Sequence, residues 1–163
     1  MKEMDREAIL AAVEAAGVVG AGGAGFPTHV KLKTACEVLI VNGAECEPLL
    51  QVDRELLHHQ LPEVLEGIAA ARQAVGAKRV YLAVKGKYDS LIRRIEQKVS
   101  SRSWLKVAPL PDVYPIGDEH LLVYQVLGRR VPPRGIPLQV GVAVLNEETL
   151  YNIATALAGE CVT

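Results

Sequence analysis

Val38-Leu39-Ile40-Val41 is a run of large aliphatic side chains with no polar residue inside it, bounded by Glu37 and Asn42. An apolar run this short, flanked by polar residues, reads as a strand, and a strand without polar alternation is buried on both faces. Such a strand belongs in the interior of a sheet covered above and below, which commits the chain to a layered α/β arrangement. The rest of the chain supplies the cover. Asp5 to Ala16 sets Ile9, Leu10 and Val13 at helical spacing, with Asp5 as N-cap and Gly17 just past the end. Pro62 opens a helix carrying Val64, Leu65 and Ile68 on one side, and Gly76 ends it. Val80 to Val84 is the next strand. Asp89 to Val99 then places Leu91, Ile92, Ile95 and Val99 on one helical face, with Arg93, Arg94 and Lys98 outside. A weaker strand at Lys106 to Leu110 precedes a helix ending near Gly128. Arg129 to Pro137, with three prolines, is a loop. A strand at Val140 to Leu145 and a helix from about Glu147 to Leu157, capped by Gly159, complete the alternation. This order predicts a mainly parallel sheet with helices on both faces, and the length of 163 residues fits one domain.

The tract from Gly17 to Gly25 contains five glycines, with only Ala and Val between them, and is followed by Phe26, Pro27, Thr28, His29 and Lys31. Its backbone can approach a bulky ligand closely while a hydroxyl and a cation face an anion, which suits a phosphorylated cofactor. Gly20-x-Gly22-x-x-Gly25 also matches the dinucleotide fingerprint, but that motif has its mechanical meaning only between an entering strand and a leaving helix. Here a helix enters the loop and Pro27 follows, so the ordinary Rossmann arrangement is disfavoured. Isolated glycines at this spacing would equally serve helix–strand packing. Asn42-Gly43-Ala44-Glu45-Cys46-Glu47-Pro48 leaves the carboxyl end of the buried strand, the edge where ligands collect in open α/β sheets. Asn42, Glu45 and Glu47 can bond sugar hydroxyls there. Asn146 to Thr149, opening the last helix, offers backbone N–H groups to an anion, while Glu147 and Glu148 fit as ordinary acids of a first helical turn.

Other chemistries are disfavoured. Net charge is -1 without a long basic run, and aromatic content is 4%, so neither the electrostatic footprint nor the stacking platform for nucleic acid is present. No apolar run approaches the ~20 residues of a membrane span, and the N-terminus lacks a signal-peptide pattern, so the expectation is a cytoplasmic protein without direct membrane insertion. Cys36, Cys46 and Cys161 make no disulfide framework and no Cys-x-x-Cys pair for zinc or an iron–sulfur cluster. His58 and His59 are adjacent and lack a third ligand at metal spacing. Cys46 lies between two acids that disfavour its thiolate, and no Ser/His/Asp order with elbow geometry occurs.

Gly20 to Lys31 followed by Asn42 to Pro48 resembles the flavin domain of the C component of Rnf-type electron transport complexes and of the propanediol-utilisation cobalamin reductase. The NADH-oxidising flavoprotein subunit of respiratory complex I is a more distant likeness. The resemblance continues through Tyr114-Pro115-Ile116-Gly117-Asp118-Glu119 and Asn146-Glu147-Glu148-Thr149-Leu150, and so covers nearly the whole chain. It implies a Rossmann-like three-layer α/β sandwich whose cofactor loop is entered from a helix. It implies FMN as cofactor and NAD(H) as substrate, with electrons passing to an iron–sulfur acceptor. Cofactor-binding residues by the same resemblance are Gly20, Gly22, Gly23, Gly25, Phe26, Thr28, Lys31, Asn42, Tyr114, Gly117, Glu119, Asn146, Glu148 and Thr149. Glu45 would sit near the reactive face of the flavin and Glu47 would help hold the incoming dinucleotide. Ala44 stands where the complex I relatives have a further acid, so any role of that acid is lost. Residues 1–163 are then a single FMN-binding domain, the N-terminal part of a longer flavoprotein whose cluster-binding cysteines lie further along. No iron–sulfur cluster is expected in this chain. Its partners would be other subunits or a C-terminal iron–sulfur domain, at a membrane complex or within a metabolic microcompartment. The alternatives are a non-catalytic docking module of the same fold and a nucleotide-binding enzyme without flavin.

Overall fold

The structure, a computed structural model, describes residues 4–21, 25–44 and 52–162. In chain order the elements are α1 (Arg6–Ala15), α2 (Thr28–Leu32), β1 (Val38–Gly43), α3 (Val52–His59), α4 (Leu61–Val75), β2 (Arg79–Lys85), α5 (Asp89–Val99), β3 (Leu105–Leu110), α6 (Glu119–Leu127), a 3-10 turn at Pro137–Val140, β4 (Val142–Asn146) and α7 (Glu147–Leu157). The four strands form one parallel sheet in the order β3-β2-β1-β4. The register sets Val38 beside Arg79 on one side and Val142 on the other, and Asn42 beside Ala83 and Asn146.

Strand alternation divides the core in two. Leu39, Val41, Leu82, Val84, Ala143 and Leu145 face a large cluster built from α1, α4, α5 and α7. Val38, Ile40, Ala83, Val142 and Val144 face a smaller cluster closed by Leu122 and Val123 of α6 and by Ile116. The division follows from the winding. Parallel crossovers are right-handed, so α4 and α5, which carry the chain from β1 to β2 to β3, share one face. The connection from β3 runs back past β2 and β1 to β4, and α6 within it lies on the other face.

α4 is buried nearly all round because it is wedged between the sheet and α7, and its Ala-rich sequence suits that place. Gly67 is where α7 comes closest: a Cβ there would overlap the carbonyl oxygen of Leu150. Gly76 and Gly128, at φ 69° each, end α4 and α6 in the left-handed region. At the amino end of the sheet, Glu37 bridges Arg79 at 2.6 Å and Arg129 at 2.9 Å, joining β1, β2 and the loop after α6. Hydrogen bonds from Arg129 and then Arg79 hold the Glu37 carboxyl below the usual range.

The expected sheet, now wholly parallel, and the expected helices are present. The strand anticipated from Val140 starts instead at Val142, because Pro137–Val140 forms the 3-10 turn and Gly141, at φ 75°, redirects the chain into β4. α2 and α3 were not anticipated from the sequence: α2 is five residues long and α3 eight, too short for periodicity to announce. Pro109 is tolerated in β3 because β3 is an edge strand. Among the described residues no helix is long and apolar enough to cross a membrane.

Candidate functional site

β2 and β3 add to one side of β1 and β4 to the other, so the winding of the sheet reverses between β1 and β4. At such a switch point the connections leave in opposite directions and open a crevice beyond the carboxyl ends of the strands. A cleft lies there. It is walled by Asn42 of β1, by Val144, Leu145 and Asn146 of β4, by Thr149 of α7, by Gly20 and Phe26 of the glycine loop, by Thr28 and Lys31 of α2, and by Gly117 and Glu119 at the start of α6. The described residues enclose about 180 Å³ of it.

The loop is delivered by α1. Gly17, at φ 65°, turns the chain as the helix ends, and Val18 is buried behind it. The neck is then closed by backbone hydrogen bonds, Gly20 N–H to Phe26 O at 2.9 Å and Thr28 N–H to Val18 O at 3.0 Å, with Gly25 in the left-handed region at φ 58°. Ala21 N–H donates to Thr149 Oγ1 at 3.0 Å, which ties the loop to the first turn of α7. Asn146 caps α7 by accepting from Glu148 N–H at 2.8 Å. Asn42 is occupied in the same structural way: its amide donates to Gly117 O at 3.0 Å and its Oδ1 accepts from Ala44 N–H at 3.1 Å. It therefore braces the end of β1 against the loop before α6. Asp118 caps α6 through the N–H groups of His120 and Leu121, which fixes Glu119 at the first helical position.

Four features favour an anionic ligand with a bulky apolar part. Thr28 is only 1% exposed, and its hydroxyl has no hydrogen-bond partner among the described residues. An unmet buried hydroxyl is costly, so a site that keeps one is suited to a polar group from outside. One turn along α2 stands Lys31, whose ammonium lies 3.4 Å from a Glu119 carboxylate oxygen. Gly20 adds to this: among the described residues a Cβ there would meet only Phe26 O at 3.6 Å, an ordinary contact, so packing against them does not demand glycine. Half-exposed Phe26 supplies an apolar surface beside these polar groups. Hydroxyls, an ammonium, a helix start and an apolar seat are the donor set that a flavin mononucleotide calls for.

Nine of the expected residues thus share one cleft: Gly20, Phe26, Thr28, Lys31, Asn42, Gly117, Glu119, Asn146 and Thr149. Three of the others stand off its wall. Gly25 sits at the loop neck, Tyr114 is 83% exposed, and Glu148 is half-buried beside the cap. Gly22, Gly23, Glu45 and Glu47 lie outside the described residues. Val144 and Leu145 were legible in the sequence only as strand hydrophobics; their place directly before Asn146, at the carboxyl end of a strand, is the signal that could have marked them. Glu147, which fits the pattern of an ordinary first-turn acid, is instead fully buried, its carboxylate packed against Gly43 where a Cβ would overlap it. Cys36 is buried at the other end of β1, and desolvation pushes its thiol up, away from the thiolate.

A parallel sheet whose switch-point cleft meets a glycine loop entered from a helix defines a cofactor-binding α/β domain. The match to known families makes this specific: the Nuo51 FMN-binding domain covers residues 13–155, and the chain belongs to that family. It is 45% identical to cobalamin reductase PduS of Citrobacter freundii, over 94% of this chain and 34% of that protein. It is 38% identical to the C component of the Na(+)-translocating ferredoxin:NAD(+) oxidoreductase complex of Acetobacterium woodii, over 96% of this chain and 36% of that protein. Among solved structures, the NAD+-reducing [NiFe]-hydrogenase in its air-oxidized state matches with a TM-score of 0.83 and 32% identity, over 94% of this chain and 30% of the hydrogenase chain. The chain thus spans about a third of the length of these relatives.

Proposed function

We propose that the chain is the FMN-binding module of an NADH-linked electron-transfer oxidoreductase, residues 1–163 forming one domain of a longer flavoprotein or complex. The observation that carries this reading is the buried hydroxyl of Thr28, without a partner among the described residues, beside Lys31 in the switch-point cleft. Lys31 and Thr28, with the start of α7, would hold the phosphate, the ammonium supplying charge and the hydroxyl a directed hydrogen bond. Phe26 would seat the apolar ring system and exclude water from it. Asn42 keeps the Gly117 segment against β1, and so sets the width of the cleft. Bound FMN would supply the conversion between two-electron and one-electron transfer.

The name of one relative pairs ferredoxin with NAD(+), and another is named a cobalamin reductase. NAD(H) is accordingly the proposed two-electron partner, and an iron–sulfur domain or subunit outside this sequence is the proposed acceptor. Glu45 is assigned to the reactive face of the flavin, Glu47 to the dinucleotide, and exposed Tyr114, with Gly22, Gly23, Gly25 and Glu148, to the remaining flavin surround. The protein would work in the cytoplasm, at a membrane complex or in a metabolic microcompartment.

The test is titration of the purified chain with FMN and with riboflavin, followed by flavin fluorescence. FMN should bind more tightly, and the difference should shrink with salt. Equal affinity for the two flavins at all salt concentrations would remove the phosphate pole. Anaerobic NADH should then bleach bound FMN in the wild type and less in Glu47→Gln; equal bleaching in both would sink Glu47 as a dinucleotide contact.

A further inference from the structure

On the wall of the cleft, Lys31 is the one cation and Glu119 the one carboxylate among the described residues. They come from α2 and α6, and form an ion pair at 3.4 Å. Glu119 is the first residue of α6, where the positive end of the helix favours its charge. The other ion pairs near Lys31 lie on its own helix and the following residue: His29 and Lys33 both turn to Glu14 of α1. The only ammonium on the described cleft wall is therefore already matched by a carboxylate.

We propose that Glu119 is a specificity-determining counter-ion, which competes with the ligand's phosphate for Lys31 and so lowers the affinity of the cleft for phosphorylated ligands. The inference rests on the assignment of Lys31 to the phosphate of FMN. An incoming phosphate carries up to two negative charges and needs the ammonium that Glu119 holds. Its binding costs the Lys31–Glu119 pair, whereas a flavin without phosphate leaves the pair intact. Glu119 thereby sets how strongly the cleft prefers a phosphorylated ligand and how readily that ligand exchanges. Removing its charge does not remove the start of α6, because the cap is made by Asp118.

The experiment measures dissociation constants for FMN and riboflavin at low ionic strength in the wild type, Glu119→Gln, Lys31→Met and the double variant, with melting temperatures to establish folding. Glu119→Gln should bind FMN about two- to fivefold more tightly, the span that a partly exposed ion pair carries, and riboflavin unchanged. In the Lys31→Met background the same substitution should give no gain. Unchanged or weaker FMN binding in Glu119→Gln overturns the proposal. An equal gain for riboflavin also overturns it, because the effect is then not on phosphate. A gain that persists without Lys31 overturns it as well, showing direct repulsion in place of competition. If no form binds either flavin, the FMN assignment itself falls and takes this inference with it.

Discussion

Thr28→Val should make the ligand-free protein more stable and its FMN complex weaker. The hydroxyl is buried, has no partner among the described residues, and sits at the first position of α2. Valine has nearly the same shape, and its second methyl replaces a group that lost water on folding and found no partner among the described residues. Such an unmet group costs about 1–3 kcal/mol, and the lower end applies to a wall that borders an open cleft. A gain of about 1 kcal/mol in a domain of this size raises the melting temperature by about 2–4 °C. The bound state should respond the other way. Loss of a hydrogen bond to a charged phosphate oxygen costs about 1.5–3 kcal/mol, or roughly ten- to a hundredfold in affinity. The assay is thermal unfolding followed by circular dichroism, with and without saturating FMN, for wild type and variant. The variant should melt higher when empty and gain less from ligand, since stabilisation by a ligand follows its affinity. A lower melting temperature in the empty variant would mean that the hydroxyl is satisfied in the protein. A higher one with unchanged FMN affinity would remove Thr28 from the ligand contacts.

Gly67→Ala should destabilise the fold by about 1–3 kcal/mol, read as a lower urea midpoint, because overlap with Leu150 outweighs the roughly 1 kcal/mol that Ala gains over Gly in a helix interior. Gly20→Ala should leave the melting temperature nearly unchanged, since among the described residues its Cβ meets only Phe26 O at 3.6 Å, whereas Gly20→Val should fold but weaken FMN and riboflavin alike. The carboxyl of Glu37 is held below its usual range by Arg129 and Arg79. Its folded-state value is thus depressed, so its stabilisation is present above the unfolded carboxylate's range and is lost as pH falls through the folded value. Unfolding midpoints measured against pH should accordingly fall more steeply on acidification in the wild type than in Glu37→Gln.

Much of the fold was legible because its signals are local. The unbroken apolar run of β1 demanded cover on both faces, and the spacing of Leu91, Ile92, Ile95 and Val99 placed α5 to the residue. Gly76 and Gly128 mark helix ends through a backbone conformation that glycine adopts without a steric penalty. Part of the cleft lining was legible as well, since Gly20, Phe26, Asn42 and Asn146 belong to contiguous motifs. β4 begins two residues later than hydropathy alone suggests, because Val140-Gly141-Val142 carries no polar break and only the turn geometry of Pro137 and Gly141 separates its parts. What tertiary structure alone decided is which motifs meet. The pairing of β4 with β1 joins segments about a hundred residues apart and creates the switch point where the cleft opens. Lys31 and Glu119, 88 residues apart, become counter-ions, and Gly67 becomes the contact of two helices. Local propensity and periodicity act within a turn or a strand, whereas strand order and cleft charge are set by packing between distant segments, and these follow only once the whole core has closed.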